Sequence, residues 1–468
     1  MTEDLCFASA VNLKKMIQEK ELSCLELTQA FINRVEAVNN EFNAIVTVEP
    51  EKALDRAKDM EVLVQQGELG VLHGLPVAHK DLFNTKGIRT TYGSPIFKDF
   101  VPLTDDLVVE RQKAAGAVTL GKTNTPEFGA GSQTFNQVFG ATKNPYDYSK
   151  TCGGSSGGAA VALAAGMVAL ADGSDMGGSL RNPAAFCNIV GFRPTPGLVP
   201  TYPSLNGWAT LGVPGPMART VQDIALFLGA IAGADARVPI SRDIKPETFL
   251  SQLGTDVKGK RVAWALDFAN LPFDSGVTQT LEPLHKVFQD LGCELDTPAL
   301  DFSGADEAFK TFRAHAFARS HHTLLKRHKE NLKETVIWNV EEGLKLSALD
   351  IARAEELRTR LFVHIATLMQ AYDYIILPVT QVPPFDIDTE YITEINGKKM
   401  DTYIDWMKSC YYISVLGNPA LSIPGGFTKA GLPVGLQIVG RYGEDLEVLQ
   451  LAFAFEQATR FGDKRPEL

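Results

Sequence analysis

The sequence predicts an α/β fold in layers, and three observations carry that expectation. Amphipathic segments with helical spacing alternate with short apolar runs along the chain. Glycine is dense from 116 to 215 and sparse from 235 to 415, which places tight turns in the first half and helices in the second. Apolar residues make up 45% and charged residues 22% of the 468 positions, enough to bury a sizeable core.

Taken in order, the first 70 residues read as helices. Ser23 and Glu26 have capping-box spacing ahead of "LELTQAFINRVEAV". "AIVTV" reads as a strand, and "GLPVAHKDL" as a second strand with Lys80 at its exit. "TDDLVVERQKAAGA" is a helix capped near Thr104, and "VTLGK" a strand. Residues 159–172 pass from helix to strand, "TVQDIALFLGAIAG" is a helix, and "KRVAWAL" opens another strand. Residues 300–372 are helical and charged, and the chain closes on the strands "YIILP" and "VGLQIVG" and the helix "EDLEVLQLAFAFEQATR". No repeat or linker interrupts the pattern, so 1–468 reads as one domain. Its core lies at about 60–235 and joins C-terminal strands at about 415–468, under a helical cover at about 300–415.

Several classes are excluded early. A formal net charge of −11 argues against nucleic acid as a partner, because phosphate binding needs a basic surface. The opening "MTEDLCFASA" lacks the basic and apolar regions of a secretion signal, and the longest apolar run, "AAVALAAGMVALA", is too short to span a bilayer. The six cysteines lack CxxC spacing and read as reduced thiols of a cytoplasmic protein. Cys152 reads as a small buried residue. His315, His321, His322 and His328 form no HExxH and read as a solvated basic helix, so no metal site is expected.

Two motifs are decoys. "GAVTLGKT" matches the phosphate-loop pattern, but a helix precedes its first glycine and "AVTL" reads as a strand, so the context is inverted. The run "GGSSGG" at 153–158 fits GxSxG twice, but that reading is an esterase needing a downstream histidine, and the later histidines lie in charged helical segments. The fuller pattern is "GGSSGGAAVALAAGMVALADGSDMGGSLRNPAA". Gly177 and Gly178 leave the amides of Met176, Gly177, Gly178 and Ser179 uncovered, and Pro183 suits a helical first turn just beyond. Such donors stabilise the oxyanion of acyl transfer, each worth about 3–4 kcal/mol. A serine needs a base, and no histidine is obvious. Lys80 follows an apolar run. It is either a base shielded from water or a solvated strand-end lysine, and spacing does not separate the two. Ser155 or Ser156 would relay its proton.

The stretch 153–184, with "GLPVAHKD" upstream, closely resembles the amidase signature family, which includes fatty acid amide hydrolase, bacterial amidases, aryl acylamidases and the A-type chain of glutamyl-tRNA amidotransferase. The likeness extends through "TLGKTNTPEFGAGSQTFNQVFGATKNPYD", "GFRPTPGLVP", "GPMARTVQD" and "GNPALSIPGGFTKAGLPVGLQIVG". It implies a large mixed β-sheet covered by helices on both faces. It implies hydrolysis of a carboxylic amide, extending to anilides, carbamates or esters, through an acyl-enzyme. Ser179 would be the nucleophile, Ser155 the bridging serine on a cis peptide after Gly154, and Lys80 the general base. Met176, Gly177, Gly178 and Ser179 would form the oxyanion hole. Ser156, Asp175 and Arg181 would support the network, and Gln133 with the backbone of Gly129, Ala130 and Gly131 would face the acyl side. Tyr92, Phe135 and Trp208 are candidates for an apolar pocket, and Trp406, Tyr411 and Tyr412 for the leaving-group side. No metal or cofactor is implied. The expected partner is a small-molecule amide, for a monomer or homodimer without nucleic acid or membrane. "GAGSQTFN" departs from the "GSSTEN"-like segment usual in the A-type amidotransferase chain, which is the alternative.

Overall fold

Eleven strands, drawn from both ends of the chain, make one mixed sheet. The computed structural model describes residues 2–467. The strands are β1 (Ile45–Val48), β2 (Pro76–Lys80), β3 (Val118–Thr123), β4 (Leu170–Asp175), β5 (Val190–Arg193), β6 (Val213–Ala218), β7 (Arg261–Trp264), β8 (Glu294–Asp296), β9 (Tyr374–Pro378), β10 (Ala420–Phe427) and β11 (Pro433–Gly440). Their spatial order is β1-β3-β2-β4-β6-β5-β10-β11-β9-β7-β8. β2 runs parallel to both β3 and β4, and β7 parallel to both β9 and β8. The remaining neighbours are antiparallel.

Alternation along these strands explains the layers. In β9, Tyr374 and Ile376 join one apolar core while Ile375 and Leu377 join another. In β7, Val262 and Trp264 face the first core and Ala263 the second. Successive side chains of a strand point to opposite faces, so the two cores lie on the two sides of the sheet. The first takes the apolar faces of the helices Cys24–Phe42, Val221–Ile231 and Asp445–Thr459. The second takes residues from Ala305–His328, Ala348–Leu368 and Lys408–Leu416. Among the described residues no helix is long and apolar enough to cross a membrane.

Local signals place most elements where the sequence does. Ser23 and Glu26 close a reciprocal capping box at the start of Cys24–Phe42. "VTLGKT" is β3, as the inverted phosphate-loop context requires, and its Lys122 is buried against Thr85 and Thr90 hydroxyls. Two expectations need correction. The helix expected to be capped near Thr104 begins at Leu107 after Asp106, whose carboxylate instead takes the Nδ2 (3.0 Å) and backbone N–H (3.1 Å) of Asn84. His321 is not on a solvated face. It lies 4.5 Å from the Phe128 ring and 5.5 Å from the Phe317 ring, and burial lowers its pKa to about 4.

Candidate active site

The parallel pair β2 and β4 builds the site at its carboxyl end, where open α/β sheets bind ligands. Ala78 pairs with Ala171, so two residues on in each strand Lys80 and the Gly173–Asp175 stretch emerge side by side. Asp172 holds this end together. Its Oδ1 accepts from Lys80 N (2.7 Å), and its Oδ2 lies 2.6 Å from His79 Nδ1 and 2.8 Å from Gln112 Nε2. The helix Gly157–Ala164 starts directly after Ser155 and Ser156 and is buried all round. It needs its glycine start, since a Cβ on Gly158 would lie 2.3 Å from Asn124 N. The Gly154–Ser155 peptide is cis.

Lys80 is fully buried, and its Nζ donates to Ser155 Oγ (2.8 Å), Ser156 Oγ (2.8 Å) and Ser174 Oγ (3.1 Å). No carboxylate among the described residues forms an ion pair with it. Burial drives its pKa down to about 7, against a weaker upward pull from Asp175 and Asp172. Both serines of the GxSxG run thus face a lysine, and among the described residues no histidine hydrogen-bonds to either.

The loop of Ser179 is organised by Asp175. Its carboxylate accepts from Gly178 N (2.9 Å), Leu180 N (3.1 Å), Arg181 Nε (3.0 Å) and Nη2 (2.9 Å), and Arg193 Nη1 (3.2 Å). Burial works to raise the Asp175 carboxyl, but Arg181 and Arg193 outweigh it and hold it well below the usual carboxylate range. Gly178, at φ 118°, supplies the turn that lets its amide fold back. That geometry corrects the expected oxyanion hole: the Gly178 N–H is engaged within the loop. The N–H groups of Met176, Gly177 and Ser179 donate to no protein acceptor among the described residues. Ser179 is half-buried, its carbonyl accepts from Ser156 N (3.3 Å), and a short helix, Arg181–Phe186, follows with Pro183 in its first turn.

Ser155, Ser174 and Ser179 line one cavity of about 180 Å³ together with Gly129, Met176 and Arg313. No hydrogen bond joins Ser155 Oγ to Ser179 Oγ among the described residues. Other expected lining residues lie elsewhere. Gln133 Nε2 reaches away to the carbonyls of Thr389 (2.8 Å) and Glu390 (2.9 Å), so it ties two loops rather than facing the cavity. Ala130 is buried, with its carbonyl on Thr335 Oγ1, and a Cβ on Gly131 would meet Pro126. Tyr92 stacks among Phe97, Phe100 and Phe128. Phe135 lies under Lys333, and Trp208 is 72% exposed. Trp406 donates to Ser132 Oγ, and Tyr411 stacks on Phe309 at 4.3 Å while Tyr412 stacks on Phe302. Phe135, Trp406 and Tyr411 thus meet residues far away in sequence, which spacing does not encode. Burial pushes the Cys152 thiol up to about 12, which keeps it an inert thiol.

Three residues were not singled out from the sequence. Ser174 sits two positions before Met176 inside the quoted motif, where strand alternation was the available signal. Arg193 lies in "GFRPTPG", whose role emerges only across β5 and β4. Arg313 comes from the cover helix and carries no local signature.

Comparison with known proteins bears on the sequence and fold of the whole chain. A family model described as Amidase matches residues 26–449. The chain is 34% identical to the A-type chain of the glutamyl-tRNA(Gln) amidotransferase of Caldanaerobacter subterraneus subsp. tengcongensis, covering 97% of each protein. It is also 34% identical to an acylamidase of Rhodococcus erythropolis, covering 100% of this chain and 98% of that one. Its fold superimposes with a TM-score of 0.91 on the crystal structure of a bacterial aryl acylamidase described as an amidase signature enzyme, at 29% identity over 98% of each chain. With its sequence matched nearly end to end, and Lys80 and the glycine-flanked serines gathered at one sheet end, the chain belongs to the amidase signature family.

Proposed function

We propose that the protein hydrolyses carboxylic amides through an acyl-enzyme on Ser179, with Ser155 as relay and Lys80 as general base. One observation carries this reading: a fully buried lysine, with pKa near 7, whose amine nitrogen has hydroxyls alone as its hydrogen-bond partners. Such an amine is substantially neutral at physiological pH and takes a proton without imidazole. Lys80 Nζ accepts the Ser155 proton as Ser155 accepts that of Ser179, and Ser179 Oγ bonds to the carbonyl carbon. The oxyanion develops against the free N–H groups of Met176, Gly177 and Ser179. The proton returns through Ser155 to the leaving nitrogen as the C–N bond breaks. Water then releases the acid by the same path.

Likeness to the acylamidases supports hydrolysis by the chain alone. The equal identity to an A-type amidotransferase chain supports a second reading, release of ammonia from glutamine within an assembly. The two separate in one experiment. The purified chain is offered a p-nitroanilide, then a fluorophosphonate with mass-spectrometric mapping. Hydrolysis with label on Ser179 is expected, and Lys80→Ala should lower kcat/KM by about 10²–10⁴-fold. Glutamine turnover only in the presence of partner chains would favour the second reading, and near-native rates in Lys80→Ala would end the first.

A further inference from the structure

Arg313 lines the same cavity as Ser179, yet the amide chemistry described for that cavity gives it no role. It projects from the helix Ala305–His328 and is 6% exposed. Its Nε donates to Asn339 Oδ1 (3.1 Å), its Nη2 to Tyr403 OH, and its Nη1 lies 3.4 Å from Met176 Sδ. The rings of Phe317 and Tyr403 flank it at 4.8 and 5.7 Å. Every one of these partners is neutral. Among the described residues no carboxylate pairs with Arg313. The acids at the start of its own helix are engaged elsewhere, Asp306 by Lys310 and Glu307 by Arg353.

Lys80 can lose its charge when buried, but a guanidinium cannot. A buried cation with neutral partners alone is costly, and a fork with spare N–H donors is shaped for a carboxylate. The cavity has one other charged lining residue, Asp175, and that carboxylate is already held by Arg181 and Arg193. The wall therefore presents one uncompensated positive charge and no free acid. The remaining surface is mostly apolar, with Leu82, Phe83, Phe128 and Phe317. Its volume of about 180 Å³ is small for a ligand site.

Resting on the hydrolase function proposed for this cavity, we propose that its substrate is a short monoamide of a dicarboxylic acid, with the free carboxylate paired to Arg313. The scissile carbonyl meets Ser179, a few methylenes lie along the phenylalanines, and the far carboxylate meets the guanidinium. An α-amino amide such as glutamine fits less well, because its ammonium finds no free acid on the wall.

The test compares succinamate and glutaramate with butyramide and valeramide. In the wild-type protein kcat/KM should be at least about tenfold higher for the anionic member of each pair, the scale of a charge-assisted hydrogen bond. Arg313→Met should bring that ratio to within about twofold, through KM of the anionic amide, and Arg313→Lys should restore part of it. A wild type that prefers the neutral amides, or hydrolyses glutamine faster than glutaramate, overturns the proposal, as does a ratio that survives in Arg313→Met. Calorimetric titration with glutarate reads Arg313 without turnover. Binding by the wild type that is lost in Arg313→Met supports the anion site even if no amide is cleaved, and no binding by the wild type overturns it. Absence of fluorophosphonate label on Ser179 would instead count against the hydrolase reading alone.

Discussion

Lys80 Nζ and Ser155 Oγ stand 2.8 Å apart, with the lysine wholly out of solvent. The two are 75 residues apart in sequence, brought together because β2 and the helix Gly157–Ala164 both abut β4. Because burial dominates the lysine's environment, its protonation, and not its position, should set the working pH.

Activity is expected to rise with pH. The Lys80 pKa is lowered from 10.5 to about 7, so the neutral base disappears below neutrality. kcat/KM on a nitroanilide should climb about tenfold per unit below pH 7 and level off above it. Stability follows the same sign: between about 7 and 10.5 the unfolded chain holds a proton that folded Lys80 lacks, so this group's contribution improves as pH rises through that window. Lys122, lowered to about 8 by burial, acts in the same direction, so the stability difference between wild type and Lys80→Met isolates Lys80. A rate that falls between pH 6 and 8 would contradict the assignment.

Asp175 is expected to matter more for stability than any surface acid. Asp175→Asn leaves Arg181 and Arg193 buried without their shared counter-charge. Breaking one partner of such a set costs about 3–5 kcal/mol, readable as a lower urea midpoint. A loss under about 1 kcal/mol would show that the arginines find compensation elsewhere.

Gly158→Ala should damage both fold and rate. The added Cβ would sit 2.3 Å from Asn124 N and 2.7 Å from Ala44 O, both backbone atoms that cannot swing away. Overpacking of this kind costs about 1–3 kcal/mol. The forced shift of the helix start carries Ser155 and Ser156 with it, and a displacement of about 1 Å can cost about 100-fold in rate. Gly254→Ala, where a Cβ meets nothing within 4 Å, serves as the control and should leave both unchanged. Equal behaviour of the two variants would refute the positioning role of the helix start.

β5, β6, β8 and β10 were not anticipated, and the Asp175–Arg181 pair was implied only by the family resemblance. The other seven strands, the capping box at Ser23, the rejection of the phosphate loop and Lys80 at a strand exit were legible from residue order. Each is local: period, cap and turn chemistry act over a few residues, so short-range pattern suffices. Tyr92 is held in a ring cluster with Phe97, Phe100 and Phe128, and Trp208 stays exposed. Gln133 turns from the acyl side because its direction depends on the distant loop of Thr389 and Glu390 that packs against it. His321 departs from expectation for the same reason, since its helix turns that residue onto Phe128.

Residue order alone therefore established the family, the layered architecture and the glycine-flanked hydroxyls. Burial of Lys80, the second arginine on Asp175 and the unpaired guanidinium of Arg313 emerged only once the chain was folded. Charge and solvent access are properties of packing between strands and helices far apart in sequence, and no local spacing reports how much water a group will lose.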